Sequence, residues 1–227
     1  MSNKETDPFL AKYVAKYDSW LSQGKISFSS KVIPVAESID TRQHVLPTER
    51  AMEILGAARS LAVQNCACRE HYRRCDNPLE VCFLLNQVAD AFAAKGKARH
   101  VDLAEAREIL KQANVGGLVH LTLYMPDHEV FALCSCCPCC CHDLQIIKAF
   151  GRRELMVRSE YVAETNVDEC VHCGACVDRC AFDARSFDNE VMSYNADACL
   201  GCGLCITVCP VGATSMRLRE AGRAAGL

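Results

Sequence analysis

The chain has 227 residues, 50% of them hydrophobic, and a formal net charge of −3, which is typical of a globular protein and not of a disordered or strongly basic one. Its first residues contain no basic stretch followed by an apolar one, and no segment reaches the ~18 apolar residues of a membrane span, so we expect a cytoplasmic protein. In a reducing compartment, 18 cysteines favour bound metal over disulfide bonds.

The first predicted element is an amphipathic helix. Asp7 and Pro8 are typical of a helix start, and Gly24 is typical of a helix end. The apolar and aromatic side chains between them fall on one face: Phe9, Tyr13, Tyr17, Trp20 and Leu21. Such a stripe usually packs into the core of its own chain. The alternative is a docking surface for a partner or a second copy, with residues 1–45 forming a helix and an extended arm.

Capping signals predict three further helices. They span residues 48–64, 78–96 and 102–114, each beginning at a side chain or proline that favours a helix start. Two strands are then predicted at 118–124 and 130–134. The second strand leads directly into the sequence CSCCPCCCH.

Ten cysteines lie in this part of the chain, in two groups. They are Cys66, Cys68, Cys75 and Cys82, and Cys134, Cys136, Cys137, Cys139, Cys140 and Cys141. We expect Cys66 and Cys68 at the end of the helix 48–64, and Cys82 one turn inside the next helix. Small buried side chains are the alternative to metal ligands for the first group. The regular spacing of residues 68, 75 and 82, with a second group downstream, favours a shared metal site.

The alternation of side chains in an extended strand divides the second group. Cys134 and Cys136 point to one side and Cys137 to the other, and Pro138 ends the strand. Cysteines on different faces favour two metal centres over one. The ten cysteines suffice for two [4Fe-4S] clusters with two thiols left over, or for one cubane and one larger or non-cubane centre. His142 is either an unusual ligand or a hydrogen-bond donor to sulfur.

Basic residues accompany both cysteine groups. They are Arg69, Arg73 and Arg74 in the first, and Lys148, Arg152 and Arg153 after the second. Two interpretations carry equal weight. The basic residues form solvated helix faces, or they compensate the negative charge of thiolate-ligated clusters and raise the reduction potentials of those clusters.

The most specific pattern is CVHCGACVDRC at 170–180, which repeats as CLGCGLCITVCP at 199–210. Both runs read C-x2-C-x2-C-x3-C, whereas a pair of zinc sites requires a longer spacer between two cysteine pairs. Residues 161–217 resemble the bacterial-type dicluster ferredoxins, although Ala181 stands where that family often has proline. The resemblance implies a ferredoxin-like fold with two [4Fe-4S] clusters.

In that family the fourth cysteine of each run ligates the other cluster. The implied ligand sets are Cys170, Cys173, Cys176 and Cys209 for one cluster, and Cys199, Cys202, Cys205 and Cys180 for the second. Strands at 159–164 and 214–218 are predicted to pair, and 185–187 and 191–194 to form a hairpin.

These elements predict an α+β fold. A mainly helical N-terminal domain with a short β unit and cysteine-rich loops precedes a ferredoxin-like dicluster domain. The predicted boundaries are 1–45 for the helix and arm, 46–158 for the cysteine-rich iron–sulfur domain, 159–218 for the dicluster domain and 219–227 for a tail. The N-terminal part resembles the cysteine-rich extension of multi-cluster ferredoxin-like proteins of anaerobes, to which we attach no activity.

The leading functional hypothesis is an electron-transfer protein, or an electron-transfer subunit of an oxidoreductase, that passes single electrons between a low-potential donor and a redox enzyme. Residues 161–210 carry eight acidic residues against Arg179 and Arg185, which favours a basic redox protein and disfavours nucleic acid as the partner. One alternative is a reductase with a catalytic centre in the N-terminal domain. The other is a thiolate-rich Cu(I)- or zinc-binding protein.

Overall fold

The computed structural model describes residues 7–35, 47–126 and 129–219. The fold is mixed α+β, with a seven-stranded sheet and two two-stranded sheets in these ranges. None of the helices in the described ranges is long and apolar enough to cross a membrane.

Helix α1 (Pro8–Ser22) begins where the sequence predicts. The Asp7 carboxylate accepts hydrogen bonds from the backbone N–H groups of Phe9 and Leu10 at 3.0 and 3.3 Å. The apolar face of the helix packs within the chain, in a cluster that contains Leu10, Tyr17 and Ile146. The aromatic stripe therefore covers another part of the same molecule.

The segment after α1 contributes a strand to the large sheet. Strand β1 (Ser30–Ile33) pairs antiparallel with β5 (Val119–Tyr124) and parallel with β7 (Met156–Val157). Residues 30–33 are therefore part of the sheet and not of an extended arm. The rest of the predicted arm, residues 36–45, lies outside the described residues.

The predicted helix 48–64 is wrong in its second half. Helix α2 (Pro47–Gly56) is followed by strand β2 (Leu61–Asn65) and then by helix α3 (Ala67–Tyr72). Cys66 and Cys68 consequently lie at the start of α3 and not at the end of the preceding helix. The sequence LAVQN is a short, mostly buried apolar run, which periodicity alone does not distinguish from a helical turn.

The predicted helix 78–96 is also wrong in its first half. Strand β3 (Glu80–Leu85) precedes helix α4 (Asn86–Ala93), so Cys82 lies in a strand. Five consecutive residues of β3, from 81 to 85, are buried, because the strand is covered on both faces. Such a run lacks the alternation that identifies a half-exposed strand. The capping signal at residues 77–80 therefore led to the prediction of a helix.

The remaining N-terminal elements agree with the sequence. Helix α5 (Leu103–Val115) is capped by Asp102, which accepts from the Glu105 N–H at 2.8 Å. Strands β5 and β6 (Val130–Cys136) form where strands are predicted. With the short β4 (Arg99–His100), the sheet order is β4-β2-β3-β6-β5-β1-β7. The N-terminal part is therefore built around this sheet and is not mainly helical.

The C-terminal part follows helix α6 (His142–Phe150) and a 3-10 turn (Arg153–Leu155). Strand β8 (Tyr161–Thr165) pairs antiparallel with β11 (Thr214–Leu218), as predicted. Strands β9 (Arg185–Asp188) and β10 (Val191–Tyr194) form the predicted hairpin, with Asn189 and Glu190 at positive φ in its turn. A short helix, α7 (Ala175–Asp178), lies within the first cysteine run.

The C-terminal part packs directly on the large sheet. The Val35 N–H donates to the Cys202 carbonyl at 2.8 Å, and Arg179 Nη2 donates to the Val115 carbonyl at 2.9 Å. Phe182 and Leu204 belong to the same apolar cluster as the sheet residues. The two parts therefore share one continuous core.

Replacing Gly201 with alanine is expected to destabilise the second cysteine run by about 2–5 kcal/mol. Gly201 has φ +79, and an added Cβ would lie 2.1 Å from the Tyr161 carbonyl oxygen. Gly212→Ala is the matched control, because Gly212 has φ +68 with nothing within 4 Å of the added Cβ. Thermal unfolding followed by circular dichroism compares the two variants, and equal losses would contradict the close approach.

Candidate metal centres

Four thiols of the N-terminal part converge on one point. The sulfur atoms of Cys75, Cys137, Cys139 and Cys140 all lie within 4.8 Å of one another. We call these four residues the tight thiol group. The Cys75 sulfur is 3.7 Å from Cys137 and 4.0 Å from Cys140, and the sulfurs of Cys139 and Cys140 are 3.7 Å apart.

Two side chains donate to the tight thiol group. Asn77 Nδ2 lies 3.5 Å from the Cys75 sulfur, and Arg69 Nη2 lies 3.4 Å from the Cys137 sulfur. Burial alone would raise the pKa of Cys75, but hydrogen bonds from Asn77 and from neighbouring thiols lower it to about 7. The group therefore contains a thiol that ionises readily, and the thiolate is the form that binds metal.

The other six N-terminal cysteines form a second set. We call them the wide thiol group: Cys66, Cys68, Cys82, Cys134, Cys136 and Cys141. Cys82 and Cys134 are directly opposite each other in the antiparallel pair β3–β6, and their thiols are in hydrogen-bond contact. Cys66 precedes α3 and Cys141 precedes α6, and their thiols contact Cys82 and Cys136.

Crowding among these thiols shifts their ionisation in opposite directions. Hydrogen bonds from the Cys68 and Cys82 thiols hold the pKa of Cys66 far below its usual value. Contact with the Cys134 and Cys66 thiols, together with burial, raises the pKa of Cys82. A cation bound among the sulfurs would remove this conflict, because every ligating thiol would then be stabilised as a thiolate.

His142 adjoins the wide thiol group. Its Nδ1 is 3.1 Å from the Cys68 sulfur, and its Nε2 is 2.9 Å from the Tyr17 hydroxyl. The ring stacks on Tyr13 with a centroid distance of 3.6 Å. Burial lowers the pKa of His142, which favours the neutral imidazole. The contact at 3.1 Å places His142 beside Cys68, where the hydrogen-bonding role and the ligand role both remain predictions.

Arg69 lies between the two thiol groups. The residue is 1% exposed, and besides Cys137 it donates to the carbonyl groups of Ser135, at 3.3 Å, and Pro78. Its charge acts on Cys66 of the wide group as well as on Cys75 and Cys137 of the tight group. For Arg69 these contacts favour charge compensation over a solvated helix face.

Three of the other basic residues near the two cysteine groups fit the solvated interpretation better. The side chain of Arg74 is solvent-accessible and donates to the Cys139 carbonyl at 3.2 Å. Lys148 pairs with Asp183 at 3.2 Å, and Arg152 pairs with Asp18 at 2.9 Å. None of these three contacts reaches a sulfur atom.

In the C-terminal part, the first implied ligand set lines a cavity. Cys170, Cys173, Cys176 and Cys209 all face it, with His172 and Met192 among the other lining residues. Cys209 comes from the second run, so the structure brings together the crossed combination that the resemblance implies. Cys173 is exposed, which places this set at the surface.

The second implied set is more deeply buried. Cys199, Cys202 and Cys205 are each 8% exposed. Burial raises the pKa of the Cys202 thiol, and the charges of Cys205, Cys199 and Cys180 act on it in the same direction. Cys180 of the first run therefore lies with three cysteines of the second run.

Residues 163–216 match the 4Fe-4S dicluster domain family. This match supports iron–sulfur clusters and electron transfer as the chemistry of the C-terminal part. None of the curated proteins matches the chain.

Arg185 provides a local test of whether the dicluster domain fits its clusters. The residue is 5% exposed, and its Nη1 donates to Thr165 Oγ1 at 3.0 Å and lies 3.7 Å from the Cys176 sulfur. The guanidinium also lies beside Cys205 of the other set. Nη2 is buried and has no hydrogen-bond partner among the described residues. A cluster sulfur is the type of acceptor that this orphaned donor requires, so the residues fit the cofactor.

From the sequence alone, Arg185 enters only the charge balance of residues 161–210, and its contact with the cysteines is not predicted. Its position in β9, five residues after Cys180, is the sequence feature that could have indicated this contact. A basic residue in the strand that follows a cysteine run points back toward the run when the strand packs against it.

Replacing Arg185 with glutamine is expected to lower the reduction potentials of both dicluster centres. A nearby positive charge stabilises the reduced, more negative state, and its loss corresponds to a shift on the order of 50–100 mV. The potentials are measured by EPR-monitored redox titration. Arg217→Gln is the control, because Arg217 is half-exposed and pairs with Glu164 at 3.4 Å. Equal potentials in both variants would show that Arg185 does not act on the clusters.

Proposed function

We propose that the chain is a multi-cluster iron–sulfur protein that passes single electrons between a low-potential donor and a partner redox enzyme. Two [4Fe-4S] clusters occupy the dicluster domain. Their ligands are Cys170, Cys173, Cys176 and Cys209, and Cys199, Cys202, Cys205 and Cys180. The family match and the orphaned Arg185 donor support these assignments.

The shared core supports an electron path between the dicluster domain and the N-terminal part. Cys202, in the buried set, belongs to the same apolar cluster as Cys140 and Cys141 of the N-terminal part. The hydrogen bond from Val35 to the Cys202 carbonyl also joins the two parts. The buried ligand set therefore lies in the core that the cysteine-rich part shares, with less contact with solvent than the exposed set.

The exposed set is the proposed point at which electrons enter. Cys173 is exposed, and the domain carries exposed acidic side chains. Those next to the first cysteine run or in the following hairpin are Asp168, Glu169, Asp178, Asp188 and Glu190. This distribution fits a partner with a basic surface, which the negative field attracts and orients.

The wide thiol group is the proposed acceptor within the N-terminal part. It offers six thiols, two more than one cubane uses, so it fits an iron–sulfur centre that is larger than a cubane or not cubane. Arg69 compensates part of the thiolate charge, and His142 Nδ1 lies 3.1 Å from the Cys68 sulfur. We interpret the whole chain as an electron carrier or an electron-transfer subunit.

A reductase is the second candidate, and the surroundings of His142 favour it. Tyr17, His142 and Cys68 form a continuous set of contacts of 2.9 and 3.1 Å beside a site with surplus thiols. Such a site can bind a small substrate at an exchangeable position. A reductase predicts that a small disulfide changes the EPR signal of the N-terminal centre, whereas a carrier predicts an unchanged signal.

Removing the exposed cluster with the double variant C170A/C173A is expected to slow reduction of the N-terminal centre by at least about tenfold. Without the exposed cluster, electrons have no entry site near the surface, while the cysteine ligands of the N-terminal centre are unchanged. Anaerobic protein is reduced with a cationic ruthenium photoreductant, which binds the acidic end, and the reaction is followed by rapid-freeze EPR.

Val167→Ala serves as the control, because Val167 is an exposed residue of the same domain that contributes no thiol. It should leave the rate unchanged. If C170A/C173A reduces its N-terminal centre as fast as the unmodified protein does, the proposed path is wrong.

A further inference from the structure

The spacing of the tight thiol group matches a single metal ion. A tetrahedral ion with metal–sulfur bonds of about 2.3 Å holds its four sulfurs about 3.8 Å apart. Three of the six sulfur–sulfur distances within the group are 3.7, 4.0 and 3.7 Å, and all six are within 4.8 Å. The four sulfurs are thus spaced closely enough to surround one tetrahedral ion.

The dicluster domain offers an internal comparison. In a cubane each thiolate binds a different iron, so the four sulfurs stand well apart around the cluster. Cys170, Cys173, Cys176 and Cys209 line a cavity. In the part of the chain that the structure describes, the tight thiol group is the set of metal-binding side chains whose ligand atoms all lie within 4.8 Å of one another. The tight group therefore differs in kind from the cubane ligand sets.

We propose that Cys75, Cys137, Cys139 and Cys140 bind one tetrahedrally coordinated divalent ion, zinc or iron(II), and not an iron–sulfur cluster. Both ions accept four thiolates in this geometry. Four protein ligands leave no open position, which is the arrangement of a structural site. The proposal goes beyond the electron-transfer function, because this ion does not need to carry electrons.

The neighbouring groups suit a site of this charge. Four thiolates around a divalent ion leave a net charge of −2, which Arg69 offsets through its contact with Cys137 at 3.4 Å. Asn77 donates to Cys75 at 3.5 Å. Donors of this kind orient ligating sulfurs and stabilise their charge.

The ligands of the proposed ion come from the same chain segments as the wide thiol group. Cys75 comes from the loop between α3 and β3, and the other three ligands come from the turn after β6. One ion therefore joins the two chain segments that supply all the thiols of the wide group. The β3–β6 pairing joins the same segments independently, so the wide thiol group keeps its positions without this ion.

The test removes two thiols from each kind of site in the full-length protein, purified without oxygen. C75A/C139A is compared with C170A/C173A, a matched pair in which Cys75, Cys139 and Cys170 are half-buried and Cys173 is exposed. Zinc, iron and acid-labile sulfide are measured per chain. C75A/C139A is expected to lose about one metal ion and no sulfide, and C170A/C173A up to about four irons and four sulfides.

Loss of several sulfides from C75A/C139A would overturn the proposal. Because that variant can fail to fold, X-ray absorption of the unmodified protein provides a second measurement. Zinc with four sulfurs at about 2.3 Å supports the zinc form. In zinc-free protein, a Mössbauer signal from one high-spin tetrathiolate iron supports the iron form. Protein that shows neither signal contradicts the proposal, whatever the outcome of the electron-path experiment.

Discussion

The pairing of β3 with β6 is the constraint on which the cysteine-rich N-terminal part of the molecule depends. It places Cys82 opposite Cys134 and so brings two cysteine-rich segments, 66–82 and 134–141, to one place in the sheet. Side chains alternate along an extended strand. Cys134 and Cys136 consequently join the wide thiol group, while Cys137 turns to the tight one. Strand geometry thus assigns Cys134 and Cys136 to the group of six and Cys137 to the group of four.

Buried arginines are the second recurring feature. Arg69 lies between the two thiol groups of the N-terminal part, and Arg185 lies between the two ligand sets of the dicluster domain. Both are at most 5% exposed, and each has a guanidinium nitrogen with no hydrogen-bond partner among the described residues. A buried cation is unfavourable unless negative charge surrounds it, and thiolate-bound metal supplies that charge. We infer that each arginine and a metal centre bound beside it would stabilise each other.

The sequence predicted the features that local chemistry determines. The two cysteine runs, the hairpin at 185–194 and the Asp7 and Asp102 caps depend on residues close to one another in the chain, and the structure confirms the hairpin and the caps. The sequence pattern wrongly predicted a helix at β3, because a strand buried on both faces has no alternation of apolar and polar residues. Alternation at Cys134, Cys136 and Cys137 indicated two centres, but the membership of each required the pairing of distant strands. The positions of Arg69 and Arg185 between thiol sets depend on the same long-range contacts.

The central claim is that the wide thiol group forms an iron–sulfur centre in the same core as the dicluster domain. Anomalous diffraction at the iron edge, on crystals of protein purified without oxygen, tests it most directly. We predict multi-iron density at three places: the two ligand sets of the dicluster domain and the wide thiol group. Multi-iron density in the dicluster domain alone, with none among Cys66, Cys82, Cys134 and Cys136, would contradict the account.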